Sequence, residues 1–327
     1  MNVVSFFAGC GGLDLGFEKA GFNVIWANDF EPSVAETYKL NHPKTQFVLE
    51  DICKLSADDI PECDGFIGGP PCQAWSEGGR NLGLKDERGR VFLEYIRIIQ
   101  AKKPKFFVIE NVEGILSDTH IAAFNSFITS LYSAGYVVTY ALLDAKDYKI
   151  PQDRKRVFVV GIRQELNKAC LLPNPTTDHP ITLRQAIGDI KEQPQFYSEK
   201  DVVNQQYTSV LNHDVYNGTY DARFMARNRV RSWDEVSFTI QAQAKNEPLH
   251  PQAPKMQFVS ADKRIFAKGS EYLYRRLSVR ECARIQAFPD SFRFVYSNIL
   301  DGYKMVGNAV PPRLAEQIAL WIKNTLK

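Results

Sequence analysis

Cys72 stands in a setting that could make it a nucleophile. It ends the run Gly68-Gly69-Pro70-Pro71-Cys72 and is followed by Gln73-Ala74-Trp75-Ser76. Two glycines and two prolines stop regular structure after Phe66-Ile67, which reads as the end of a buried strand. Each proline holds φ at about −65° and lowers the entropy of the loop, so the thiol can be aimed. A free cysteine is more often buried packing. Here the polar neighbours Gln73, Ser76 and Glu77, and a loop that follows a strand, point to the surface. A second reactive group, Glu110, closes the apolar run Lys105–Ile109. Arg154 and Arg156 lie at i, i+2 at the start of another apolar run, share one face if that run is a strand, and could enter a site together. An exposed basic strand start is the ordinary alternative. A thiol, a carboxyl group and two guanidiniums are the parts of a covalent mechanism that must manage charge on a substrate.

The elements that would position these groups read as an α/β fold. Residues 2–8 are β-branched and aromatic and end at Gly9-Cys10-Gly11-Gly12, after which Leu13, Gly16, Phe17 and Ala20 recur at helical spacing. Strand, Gly-rich turn and helix open a nucleotide-binding unit, but Asp14 stands where the dinucleotide fingerprint needs its third glycine. A ligand without pyrophosphate fits this turn better; a tight turn with nothing bound stays open. The next strand, 22–27, ends at Asn28-Asp29, roughly 20 residues beyond the glycines, where an acid commonly takes ribose hydroxyls. A strand-end turn is the alternative for Asp29. A helix over about 32–40 and a strand over 47–49 follow, the strand ending in Glu50-Asp51-Ile52. The strand 64–67 then delivers Cys72 to the same carboxyl edge, where ligands sit in open α/β sheets. Gly78, Gly79 and Gly83 with the charged run 85–90 make either a lid or a solvated connection before a helix at about 91–100. The remaining units are strand 105–109, helix 121–134 and strands 137–143 and 157–162.

With 327 residues and 44% hydrophobic content the chain can bury a full core, as one large domain and one smaller one. Its net charge of +2 announces no nucleic acid in bulk, so any basic footprint is local. Six cysteines without a CxxC pair, and no histidine clusters at zinc spacing, argue against a disulfide framework and a structural zinc. The N-terminal apolar run is too short for a signal segment, and no stretch is long enough to span a membrane. From about 166 to 274 the regular alternation gives way to prolines and turns, read as a second, smaller domain. It carries Arg223, Arg227, Arg229 and Arg231 with no acid over 223–233, then Gln241, Gln243 and Lys245. Arginine for guanine, glutamine for adenine and lysine for phosphate is the chemistry of DNA reading; a solvated charged face is the alternative. In the tail, Ser278 and Glu281 form a capping box for a helix over 277–286. Gly307-Asn308-Ala309-Val310-Pro311 reads as a turn opening a final helix that runs to about Asn324.

Taken in order, Phe7-Ala8-Gly9-Cys10-Gly11-Gly12, Gly69-Pro70-Pro71-Cys72-Gln73, Glu110-Asn111-Val112, Gln152-Asp153-Arg154-Lys155-Arg156, Arg276-Leu277-Ser278-Val279-Arg280-Glu281 and Gly307-Asn308-Ala309-Val310-Pro311 resemble the ordered motifs of the DNA (cytosine-5) methyltransferases. The resemblance spans the whole chain and is greatest to small bacterial modification methylases that read GGCC. It implies a Rossmann-like doubly wound α/β catalytic domain, 1–165 and 276–327, with a target-recognition domain, 166–275, inserted. It implies S-adenosylmethionine as cofactor, S-adenosylhomocysteine as product, no metal and duplex DNA as partner. It also implies a bacterial cytoplasmic location, a monomer, and functional pairing with a restriction endonuclease. By the same resemblance Cys72 adds to cytosine C6, Glu110 neutralises the ring near N3, and Arg154 and Arg156 hold the cytosine O2. Phe7, Gly9, Gly11, Gly12, Leu13, Asp29, Asp51, Ile52, Pro71 and Asn308 fall at cofactor positions, and Arg227, Arg229, Arg231, Gln241, Gln243 and Lys245 at DNA-reading ones. Trp75, where the family more commonly has Phe, and Cys10 within the glycine turn are modest departures. A tRNA methyltransferase of the same fold would share the catalytic residues but not need so long a recognition region. A plain DNA-binding module leaves Cys72 and Glu110 without purpose, and a dehydrogenase leaves the Pro-Pro-Cys loop without one.

Overall fold

The computed structural model describes residues 1–71, 87–169, 171–176, 179–204 and 209–327. Cys72, Trp75, the glycine-rich loop after them and Cys170 lie outside the described residues. In chain order the elements of the first part are β1 (Asn2–Phe6), α1 (Gly12–Lys19), β2 (Asn23–Asp29), α2 (Ala35–Asn41), β3 (Gln46–Leu49), β4 (Gly65–Gly68), α3 (Glu87–Lys102), β5 (Phe106–Val112), α4 (Ile121–Ser133), β6 (Tyr136–Asp144) and β7 (Lys155–Arg163). There follow α5 (Leu183–Ile187), β8 (Gln195–Tyr197), β9 (Asp214–Tyr216), β10 (Gln257–Ser260), β11 (Lys263–Ile265), α6 (Val279–Ile285), α7 (Ile299–Asn308) and α8 (Pro312–Leu326).

The first seven strands make one sheet in the order β3-β2-β1-β4-β5-β7-β6. The pairs β1–β2, β2–β3, β1–β4 and β4–β5 are parallel, so their carboxyl ends share one edge. Near-continuous apolar runs such as Val3-Val4-Ser5-Phe6 and Phe106 to Ile109 are buried on both faces, as central parallel strands must be. β7 runs antiparallel to both β5 and β6, which the sequence did not announce. Its reversal has a direct effect: the start of β7, not its end, lies at the edge where β1, β4 and β5 finish. Phe6, Trp26, Phe66 and Tyr95 pack beneath that edge, with Phe6 ring centroids 5.2 Å from both Phe66 and Tyr95.

The chain divides into two compact units. The first comprises Met1–Asp144, Lys155–Asn174 and Leu314–Lys327; the second, Ala145–Arg154 and Pro175–Arg313. These bounds differ from the expected 166–275 insertion. Residues 276–313 cluster with the second unit because α6 and α7 pack against its own strands and turns: Tyr303 Oη donates to Leu277 O and accepts from the Tyr216 amide. The β6–β7 connection, 145–154, also belongs there. The second unit has its own core of Phe224, Val230, Leu249, Ala253, Met256 and Tyr274. α6 has the expected capping box, with Ser278 Oγ accepting from the Glu281 amide. The expected turn at 307–311 is instead the end of α7 followed by a break, and α8 begins at Pro312. No helix among the described residues is long and apolar enough to cross a membrane.

Candidate active site

In the first unit, the five parallel strands β1 to β5 deliver predicted residues to one edge. β1 ends at Phe6, and Phe7 then takes φ 53°, with Gly9 at 55° and Gly11 at 90°. At Gly11 a β-carbon would stand 2.1 Å from His42 Nε2, so both the turn and the imidazole behind it exclude a side chain. His42 is itself held through Nδ1 by Glu18 Oε2 at 3.1 Å. Asp29, 8% exposed, accepts from the Gly9 amide at 2.8 Å and the Glu31 amide at 2.9 Å. Burial pushes its carboxyl pKa up, and the two amides oppose that shift. Asp29 therefore clamps the glycine turn, whatever else it binds. α1 starts at Gly12 with Gly11 as its N-cap residue, which has no side chain to cap the helix. Beneath it, buried Asp14 accepts from Ser5 Oγ at 2.6 Å and from the Tyr38 hydroxyl.

Along the same edge Asn28 Nδ2 bridges to Val48 O and Glu50 O, fixing the end of β3. Asp51 caps the next turn by accepting from the Cys53 amide at 2.9 Å. Leu13 and Ile52 have buried side chains, at 5% and 3% exposure, so their side chains serve the core. Phe30, immediately after Asp29, is 63% exposed, a large aromatic ring left out of the core that residue type alone does not mark.

The catalytic candidates gather at the ends of β4 and β5. Glu110, 8% exposed, places Oε1 3.0 Å from Arg156 Nε. Its Oε2 lies 3.1 Å from where a β-carbon on Gly69 would stand, so the carboxyl group abuts the loop that leads to Cys72. Asn111, 4% exposed, donates through Nδ2 to Pro70 O at 3.1 Å and so holds that loop. Pro71 is exposed and is the last described residue before Cys72. Arg156 reaches Glu110 because antiparallel β7 starts at this edge, with Arg156 in register with Val112.

Arg154 is placed differently from expectation. It belongs to the second unit, is 1% exposed, and donates to Ile240 O at 3.3 Å, Gly307 O at 2.9 Å and Ala309 O at 3.0 Å. The two guanidiniums share a strand face in sequence, yet each is committed within its own unit. Burial pushes the Cys10 and Cys63 thiols up to about 12 and the Cys282 thiol well above its ordinary value, so none holds a thiolate near neutral pH. Among the described residues no cluster of three His, Cys, Asp or Glu side chains could hold a metal ion.

Within the second unit the DNA-reading candidates separate by exposure. Arg227, Gln243 and Lys245 are exposed and Gln241 is half-buried. Arg229 is 7% exposed, donates from Nε to Phe224 O at 3.0 Å and lies over the Phe224 ring. A guanidinium so held braces its own segment. Arg231 is held by Asp153 at 2.7 Å and Glu235 at 3.2 Å and lies over Phe238. Asn308 ends α7 and is exposed. Arg276 is fully buried, over the Tyr220 ring and donating to Gly218 O at 2.7 Å and Thr219 O at 3.0 Å.

A sheet in the order 3-2-1-4-5-7-6 with a glycine turn after its first strand and reactive groups at its carboxyl edge defines an α/β methyltransferase fold. The chain belongs to the C-5 cytosine-specific DNA methylases: the model of that family matches residues 1–324. It is 51% identical over 327 residues to the Type II methyltransferase M.MthTI of Methanothermobacter thermautotrophicus, covering 100% of this chain and 98% of that one. To the Type II methyltransferase M.NgoPII of Neisseria gonorrhoeae it is 47% identical, covering 100% and 96%. The fold is shared with a candidate DNA modification methyltransferase encoded within an Escherichia coli prophage, with TM-score 0.76 and 23% identity over 100% of this chain and 99% of that one.

Proposed function

We propose that this cytosine-5 methyltransferase acts on a cytosine flipped out of a short, specific site in duplex DNA, through a covalent bond between Cys72 and cytosine C6. The observation that carries this reading is the Glu110–Arg156 pair, low in exposure and set against the loop that leads directly into Cys72. Cytosine C5 is a weak nucleophile. Addition of the Cys72 thiolate at C6 makes C5 enamine-like, provided that charge entering the ring is met. Glu110 is suited to hold a proton at ring N3, and Arg156 to hold the cytosine O2 while keeping the Glu110 carboxyl oriented. Asn111 keeps the Pro70 carbonyl, and hence the approach of Cys72, in one place. After methylation, loss of the C5 proton restores the double bond and expels Cys72 as thiolate. Flipping is needed because C5 and C6 are otherwise enclosed by the stack.

The first unit is suited to S-adenosylmethionine. The glycine turn gives close backbone approach, the uncapped start of α1 favours the carboxylate of an amino acid, and Asp29 stands near where ribose hydroxyls are taken. When bound, the cofactor supplies the methyl group as an electrophile and leaves as S-adenosylhomocysteine. The relatives named Type II methyltransferases support a role as the modification enzyme of a restriction system, with GGCC as the proposed site. The test is methylation of a plasmid by the purified protein, mapped by bisulfite sequencing. We expect 5-methylcytosine at one short motif, abolished by Cys72→Ser and lowered about 100-fold or more by Glu110→Gln. A wild type that modifies no duplex cytosine overturns the reading.

A further inference from the structure

The backbone of residues 239–247, which carries Gln241, Gln243 and Lys245, is tied from beneath by buried side chains. Gln152, 0% exposed, accepts from the Ile240 amide at 2.8 Å. Arg154 donates to Ile240 O at 3.3 Å, and Arg276 to Lys245 O at 3.4 Å. Glu247, 0% exposed, accepts from the Gln241 amide at 3.0 Å. The Gln241–Ala242 peptide rests directly on Gly307, where a β-carbon would stand 2.2 Å from Gln241 C and 2.3 Å from the Ala242 nitrogen. Two reading side chains are oriented from within: Gln241 Nε2 donates to Thr239 O, and Asn246 Nδ2 to Gln243 Oε1, each at 2.9 Å.

Glu247 is the telling member. An acid at full burial is costly in a loop that only needs to be solvated. Burial pushes its pKa well up, against the opposing influence of the Gln241 amide, Arg154 and Arg276, and the Cys282 thiol lies beside the carboxyl group. Its hydrogen bond from the Gln241 amide makes it a brace for the loop backbone. We propose that residues 239–247 read DNA as a preformed loop, and that Glu247 is a positioning residue that sets sequence specificity without touching a base. Because ordering costs are met before DNA arrives, a wrong base pair meets readers that cannot rearrange to accommodate it.

This inference rests on the proposed methylation of a specific DNA site, and the test separates the two. Full-length wild type, Glu247→Gln and Glu247→Leu are compared on duplexes carrying the mapped site or single base-pair changes of it. Hydrogen exchange of the 240–242 amides is followed in parallel. Leu should lower the preference for the mapped site about 10-fold or more, through KM for the correct duplex, with kcat at saturating DNA within about threefold of wild type. Gln retains the acceptor and should match wild type within about threefold in both, and only Leu should lose protection at Gln241. If Leu fails to melt cooperatively, Arg154→Lys, which loses the planar fork, must show the same loss of preference. Wild-type preference in the folded variants, or fast exchange of the loop in the wild type, overturns the inference. Methylation absent from the wild type overturns the proposed function, and with it the specificity role, while the exchange arm still decides whether the loop is braced.

Discussion

Gly11 and Asn111 show how single positions carry the site. Gly11→Ala meets two obstacles, a left-handed backbone worth about 1–2 kcal/mol and the His42 imidazole at 2.1 Å. The variant should bind S-adenosylhomocysteine about 10-fold or more weakly by titration calorimetry, with a lowered Tm; unchanged affinity would remove the turn from the cofactor site. Asn111→Ala frees the Pro70 carbonyl. Single-turnover methylation should slow about 10-fold or more while DNA affinity stays within about threefold, since a misplaced nucleophile costs rate more than binding. Much of this was legible from residue types alone. Cys72 directly after two prolines and Glu110 at a strand end are local patterns, and the chemistry of each follows from the side chain. Arg154 was not legible in the same way. A guanidinium at i, i+2 from another shares its face in any strand, but whether it meets a substrate or three backbone carbonyls depends on Ile240, Gly307 and Ala309, which lie 86 to 155 residues away. Arg229 differs in that its partner, the Phe224 carbonyl, is only five residues away, and a turn that brings the two together is not written in residue types.

At the start of α6 the capping box was readable because Ser278 and Glu281 are three residues apart, and the structure adds a consequence. Glu281 also takes both Arg275 nitrogens at 2.7 Å. Burial alone would raise its pKa, but Arg275, with His250 nearby, outweighs burial and brings it from 4.5 to about 2. The folded value is depressed, so the stabilisation is present above pH 4.5 and lost as pH falls towards 2. It is on the order of 3 kcal/mol. Urea midpoints for the wild type should fall through that window, and Glu281→Gln should be less stable at pH 7 and flatter below pH 4.5. An identical slope in the variant would remove Glu281 as the source. α7 was overlooked because Gly302 and Gly307 interrupt its helical pattern; Gly302 packs against Tyr296 and Val279, and Gly307 makes room for the Gln241–Ala242 peptide. The direction of β7 was hidden too, since an apolar run reads alike in either orientation.

Across the whole molecule, the aromatic core of the first unit supports the edge at which the candidate residues gather. Phe6→Ala should cost about 3–5 kcal/mol in denaturant unfolding, because Trp26, Phe66 and Tyr95 cannot all close on the space. A loss below about 1 kcal/mol would mean that this cluster repacks freely. The chain passes between its two units four times, at 144/145, 154/155, 174/175 and 313/314. The short passage 145–154 supplies Gln152 and Arg154 to the backbone at Ile240. If this loop reads DNA as proposed, specificity is not stored in a contiguous cassette. A graft that moved only residues 175–313 into a related methylase would arrive without two of its own supports, whereas moving 145–154 with it would transplant a complete reader.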